Sequence, residues 1–266
     1  MHHLYRHLKF TARYFMHNKI CYLLVLSFIS FYNVTAQDIS IKEIKLRPKP
    51  ETFNTKDSTI VFPIIMTKST VVNKKINDKI KEEMLFLEDN KISTTTALTD
   101  RISEGLINMS YEITFKKNGI LSMNIYSEGC GAHCSSWNTY FNFDLKTGDE
   151  ISIEDIVDRS KLDSLRKIIF TDKTRALEIY KKEQASSLSQ NPTDSSLYTW
   201  SIERADECMQ ALELDNFSLL ELSLEIIDQC DFPHAIRSQT PTFELKYSYK
   251  SIAGFLKPQF LQRLRR

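Results

Sequence analysis

The sequence predicts an α+β fold in which antiparallel meander strands pack against about three helices. Three observations lead there. Hydrophobic runs of period two fall into two groups, one in the middle of the chain and one in its last third. Apolar residues at helical spacing lie outside those groups and do not alternate with each strand. Between two of the alternating runs stands Asn118-Gly119, a strong hairpin signal because both positions tolerate positive φ.

The elements follow in order. Residues 1–36 read as a secretory signal peptide. Arg6, Lys9, Arg13 and Lys19 supply a positive start, and no acid precedes Asp38. Ile20 to Tyr32 is an apolar run of the right length for such a signal, and short of the roughly 20 residues a membrane span needs. Val34-Thr-Ala36 places small residues at −3 and −1, so cleavage is expected after Ala36, with Met16 as an alternative start to Met1. No stable membrane span is then expected. Residues 37–57 read as an N-terminal strand (Asp38–Leu46) and a linker with Pro48 and Pro50. Residues 58–266 read as the folded domain, with 58–105 and 106–266 as two lobes in an alternative division.

Ser58–Met66 is strongly β-prone. Ser69 can cap a helix whose apolar positions Val72, Ile76, Ile80 and Met84 recur every four residues. Tyr111, Ile113 and Phe115 alternate before the Asn-Gly turn; Leu121, Met123 and Ile125 alternate after it. Trp137, Thr139, Phe141, Phe143 and Leu145 form the next strand. The turn Lys146-Thr-Gly-Asp149 then leads into Ile151–Val157, which continues the meander. Ser160 is expected to cap a second helix with Leu162, Leu165, Ile169 and Leu177 facing inward. Ser186–Ser196, with Pro192, reads as a loop. A third helix is expected over Leu197–Leu214, with Ile202, Ala205, Cys208, Met209 and Leu212 on one face. Leu220, Leu222, Leu224 and Ile226 predict one strand. Phe243, Leu245, Tyr247 and Tyr249 predict another, and Arg263-Leu-Arg-Arg266 reads as a frayed basic end.

Charge excludes one class of partner. The chain holds 35 Lys+Arg and 34 Asp+Glu. The four bases of the signal leave 31 against 34 in the remaining 230 residues, a net of −3. A nucleic-acid binder would show a basic excess or stripe.

The most informative stretch is Tyr126-Ser-Glu-Gly-Cys-Gly-Ala-His-Cys-Ser-Ser-Trp137, echoed by Cys230-Asp-Phe-Pro-His234. Beyond residue 36 only four cysteines and two histidines remain, and all but Cys208 lie in these clusters. An even cysteine count in an exported chain reads as two disulfides. Of three connectivities, Cys130–Cys134 with Cys208–Cys230 is favoured. The first would close a tight loop, with Gly129 and Gly131 free to adopt φ values closed to other residues. The second would tie the third helix to the end of a strand, contributing roughly 3 kcal/mol by chain entropy. The competing reading is a zinc site drawn from Cys130, His133, Cys134, Cys208, Cys230 and His234, serving metal binding or a zinc-dependent hydrolase. A catalytic His133 oriented by Asp144 is disfavoured, because a strand of about 3.3 Å per residue separates them.

Several motifs together resemble a known family. Gly-Ala-His at 131–133, Asn142-Phe-Asp144, Lys146-Thr-Gly148 and Ile151-Ser-Ile-Glu-Asp-Ile156 follow a helix over Val72–Glu88 in a recurring order. This set is similar to a family of secreted bacterial domains that includes the extracytoplasmic, lysozyme-sensing part of RsiV-type anti-sigma factors. The resemblance spans roughly residues 58–250. It implies an extracytoplasmic α+β binding domain, with Gly-Ala-His as a scaffold loop. Cys130 and Cys134 depart from the family's loop, and lysozyme sensing is not carried over.

The sequence is therefore read as an exported, periplasmic or secreted, non-enzymatic binding domain without a cofactor. Its partner is an unknown protein or cell-envelope ligand, met on a face of Tyr126, His133, Trp137, Phe232, His234 and Arg237. The 126–137 and 230–238 loops are expected to lie together. The zinc protein is the first alternative. A lysozyme-binding, inhibitor-like protein is the second, by analogy.

Overall fold

The β-branched run Ile60–Met66 forms strand β2 in the computed structural model. That model describes residues 39–48, 58–87, 92–131, 133–190, 195–209 and 212–265. The signal-peptide reading of 1–36 and most of the linker lie outside the described residues. Strand β1 (Ser40–Leu46) pairs antiparallel with β2. Helix α1 (Thr70–Leu85) follows. It is capped by Ser69, whose hydroxyl accepts from the Val72 N–H, and it buries Val72, Ile76, Ile80 and Met84. Helix α2 (Thr94–Ser103) is capped by Ser93 and buries only Ala97 and Leu98. Its Thr-rich sequence carries too little apolar periodicity to be read in advance.

The two helices form a crossover, so β2 meets the next strand, β3 (Leu106–Lys117), in parallel. This is the one departure from the expected antiparallel order. The β2–β3 register begins and ends at Ile60↔Met109. Further along, Asn77 of α1 stands in for a strand: its carboxamide accepts from the Ile65 N–H and donates to the Ile65 carbonyl, each at 2.8 Å.

Strands β3, β4 (Ile120–Cys130) and β5 (Cys134–Asp144) form the antiparallel meander. Asn118 and Gly119 make its first turn at φ 54° and 74°. The sheet order is β1-β2-β3-β4-β5. One face buries Leu121, Met123, Ile125, Phe141 and Phe143 with α1 and α2.

Ile151–Val157 is not a further strand. Ser152 and Asp155 make a capping box, and Ile153–Ile156 is a single helical turn, α3. Nor is Ser160 the cap of the next helix. Asp158 caps a 3-10 turn at Arg159–Lys161 that runs into α4 (Leu162–Gln190), which takes in the first five residues of the expected Ser186–Ser196 loop. Helix α5 covers Ser195–Cys208.

The run Leu220–Ile226 is not one strand either. Strand β6 (Phe217–Leu219) turns over Leu220–Leu222 into β7 (Ser223–Gln229). The pairing Leu219↔Leu224 shifts the buried phase from odd to even residues, and Leu222 at the turn is 77% exposed. Strand β8 (Thr242–Ser248) completes a second sheet, β6-β7-β8.

The C-terminus is ordered as helix α6 (Pro258–Arg265), with Phe260 buried. Arg263 donates to Asp144 at 2.8 Å and to the Gly119 carbonyl at 3.0 Å, so the expected fraying does not occur there.

The second sheet crosses the uncovered face of the first through a polar seam. Leu219 N–H donates to Ser122 Oγ at 3.0 Å, and Asn142 Nδ2 donates to the Phe217 carbonyl at 2.8 Å. Ser218 Oγ donates to Thr114 Oγ1, which donates to Ser122 Oγ. Apolar side chains surround this seam, including Phe115, Ile120, Phe217 and Leu224.

Candidate functional site

Both cysteine clusters are disulfide-bonded as favoured from sequence: Cys130 to Cys134 and Cys208 to Cys230. Cys130 and Cys134 are register partners that close the β4–β5 hairpin at its turn. The glycine packed tightest against this turn is neither of its own. Among the described residues with positive φ the glycines are Gly105, Gly119 and Gly148, so Gly129 and Gly131 adopt ordinary values. Gly105, at φ +111°, is the tight position. Its carbonyl accepts from the Cys130 N–H at 2.8 Å, and a Cβ there would sit 2.0 Å from the Cys130 carbonyl oxygen. Gly129 lies under the Trp137 ring, where a Cβ would come within 3.4 Å.

Cys208 ends α5, and Cys230 follows β7. Cys230 is buried with Leu177, Ala205, Phe232, Ile236 and Phe243 in a third small core. The second disulfide thus anchors the Cys230–Thr242 segment to the helical pair.

The two anchored segments border one cleft of about 1300 Å³. Its first wall is the end of β4–β5, from Glu128 through Cys134–Asn138 to Tyr140. The opposite wall is Ile227–Phe232 with Arg237, Thr240 and Thr242. Arg204, Glu207 and Cys208 of α5 close one side.

Of the six residues expected to form a face, His133, Trp137, Phe232 and Arg237 line this cleft. They play unequal parts. His133 and Arg237 are exposed, Trp137 is half-buried, and Phe232 is buried as part of the third core. Strand alternation directs Trp137 to the face opposite Ser136, Asn138 and Tyr140, with its ring over Gly129. Tyr126 lies on β4 opposite Asn138 and is not among the lining residues. His234 heads the 3-10 helix His234–Gln239, and its side chain lies outside the description.

Other lining residues were not anticipated. Lys173 of α4 and Asp228 of β7 form an ion pair at 2.7 Å in the cleft wall, with side chains only 2% and 7% exposed. Each interrupts a hydrophobic pattern at a core position. Lys173 falls in the series Leu165, Ile169, Lys173, Leu177; Asp228 continues Leu224 and Ile226. A charge on a buried stripe was the available signal. Arg204 pairs with Glu207 at the rim. Burial, and then the negative potential of Glu244 and Glu225, pushes the Tyr140 hydroxyl up to about 12.

This arrangement limits the chemistry. The four cysteines of the zinc reading are consumed in disulfides, so its thiolates are not there to bind metal. Among the described residues no group of three or more His, Cys, Asp or Glu could hold a metal ion. Asp144 is engaged by Arg263 at the far end of β5 from His133, so the two do not form an acid–base pair.

Together these features define a class: an α+β protein of two stacked sheets, stapled by two disulfides around a cleft. No family model matches the chain, and no curated protein matches it. A solved structure does share its fold. A member of the DUF3298 family from Bacteroides fragilis aligns with a TM-score of 0.53, covering 86% of this chain and 98% of that one at 13% identity. A DUF3298 family protein from Pseudomonas aeruginosa gives a TM-score of 0.48, 84% and 96% coverage and 12% identity. At such identity the likeness is one of fold. Among the described residues no helix is long and apolar enough to cross a membrane.

Proposed function

We propose that this chain is an exported, non-enzymatic binding protein whose ligand site is the cleft between the two disulfide-anchored segments. One observation carries the reading. Two clusters far apart in sequence, each held by its own disulfide, line the same cavity. Segments fixed on a rigid scaffold are where binding residues concentrate. Export rests on the signal-peptide reading of 1–36, and disulfides persist in the oxidising compartments that export leads to. The ligand is a protein or a cell-envelope component, since the cleft exceeds the roughly 300–1,000 Å³ of small-molecule sites. By resemblance to the extracytoplasmic domain of RsiV-type anti-sigma factors, lysozyme is one protein to try.

The test uses protein recovered from the periplasm or medium, mixed with isolated sacculi, outer-membrane fragments or immobilised lysozyme. The bound fraction is measured by sedimentation or elution. His133→Ala combined with Arg237→Glu is expected to lower binding at least tenfold, while Lys74→Ala on α1 leaves it unchanged. Equal retention of the cleft variant and the parent would show that the cleft is not the site.

A further inference from the structure

Strand β5 ends the five-stranded sheet, and among the described residues its outer edge meets only the Phe143↔Glu150 bridge and no further strand. Natural proteins blunt such edges with charges, proline, bulges or short length. The other edge strands here are blunted. β1 carries Lys42, Glu43 and Lys45; β8 carries Glu244 and Lys246; β6 has three residues. β5 is different. From Cys134 to Phe143 it has no charged residue and no proline, and its register with β4 runs from Ile120↔Asp144 to Cys130↔Cys134 without a shift.

The direction of its edge groups can be read from two hydrogen bonds. Asp144 N–H donates to the Asp149 carbonyl, and the Asn142 carbonyl accepts from Ile151 N–H. Even-numbered residues of β5 therefore point their main-chain groups away from β4, and strand alternation extends this to Ser136, Asn138 and Tyr140. Among the described residues, no backbone hydrogen bond reaches the outward N–H and C=O groups of these three. All three line the cleft, with side chains on the cleft side of the sheet. Across the cavity, Ile227 N–H donates to the Asn216 carbonyl, just ahead of β6. Gln229, two residues on and also lining the cleft, points its main chain the same way past the start of that short strand.

The charge of the lining sets the guest's character. Glu128, Glu207, Glu213, Asp228 and Asp231 face Lys173, Arg204 and Arg237. Asp228 is taken by Lys173, and Glu207 by Arg204. Glu128, Glu213 and Asp231 then outweigh Arg237.

We infer that the cleft takes an extended basic peptide segment, which adds to the free edge of β5 as a sixth strand. This rests on the reading of the cleft as the binding site. Ser136, Asn138 and Tyr140 supply the main-chain donors and acceptors, and a guest of about seven residues spans Cys134–Tyr140 at ~3.3 Å per residue. The walls formed by β7 and α5 favour a single strand over a second copy of this chain, whose β5 would arrive with a whole sheet attached.

The probes are a heptapeptide alternating Lys and Val, its counterpart N-methylated at every second amide, and a heptapeptide alternating Glu and Val. Amide exchange is followed at Ser136, Asn138 and Tyr140. The Lys peptide is expected to slow exchange at all three at least tenfold. The N-methylated peptide, which keeps charge and side chains but loses ladder donors, and the Glu peptide are expected to have no effect. Asn138→Pro removes an outward N–H that β4 does not use, so it should leave the fold intact and abolish binding, whereas Asn138→Ala should not. Equal binding of the N-methylated peptide, no protection by the Lys peptide, or concentration-dependent protection without peptide would each overturn strand addition. If envelope material still binds through His133 and Arg237 while these peptides fail, the cleft remains the site and only the strand inference falls.

Discussion

Replacing Lys173 by Met tests the buried ion pair in the cleft wall. At 2.7 Å from Asp228, and at an effective dielectric near 20, the gross attraction is on the order of 6 kcal/mol. Desolvation of two groups that are 2% and 7% exposed offsets most of it. The pair therefore contributes little net stability, while either partner left alone is a buried, uncompensated charge. Lys173→Met is expected to lose about 3–5 kcal/mol, a large part of the ~5–15 kcal/mol that holds a domain folded. Lys173→Met with Asp228→Leu removes both charges and is expected to return to within about 1 kcal/mol of the parent. Urea unfolding followed by tryptophan fluorescence and far-UV circular dichroism, with disulfides intact, gives all three values. A single variant that loses less than about 1 kcal/mol, or a double variant no better than the single, would refute the reasoning.

Three further outcomes are expected. Serine replacement of Cys208 and Cys230 opens a loop of 22 residues and should cost about 3 kcal/mol. The same change at Cys130 and Cys134, four apart, should cost about 2 kcal/mol, and equal losses in urea melts would contradict the chain-entropy account. Gly105→Ala forces a Cβ to within 2.0 Å of the Cys130 carbonyl at φ +111° and should lose at least ~2 kcal/mol, whereas Gly131→Ala meets nothing within 4 Å and should be close to neutral. The Tyr140 hydroxyl is raised above its ordinary value to about 12, so its contribution to stability is present below pH ~10 and is lost as pH rises through the folded value. Tyr140→Phe should flatten the alkaline fall in melting temperature between pH ~10 and ~12; an unchanged slope would count against the burial of this group.

What sequence patterns reveal here depends on whether a pattern is local. The helix over Val72–Met84, the Asn118-Gly119 turn and the Cys130–Cys134 disulfide each follow from neighbouring residues, and each is found in place. The β6–β7 turn is hidden because alternation of period two continues across it, and no glycine or asparagine marks Leu220–Leu222. Arg263 reads as a frayed end because its partners, Asp144 and Gly119, lie over a hundred residues away. The cleft was half legible. Its cysteine-rich rims announce themselves, but Lys173, Arg204 and Asp228 come from three separate elements that only tertiary packing joins.

The seam of Thr114, Ser122, Asn142 and Ser218 has a consequence for the far end of the molecule. Two oily sheets can slip past one another by a residue pair, about 7 Å, with small loss of burial. Donors and acceptors that must meet head-on allow one placement, because a slipped seam leaves buried polar atoms unsatisfied. The seam fixes the setting of the two sheets as a clamp screw fixes a pair of jaws. The gape at Asn138 and Gln229 is set at Ser122 and Asn142, so the width of the mouth can be retuned by residues that a bound partner never touches.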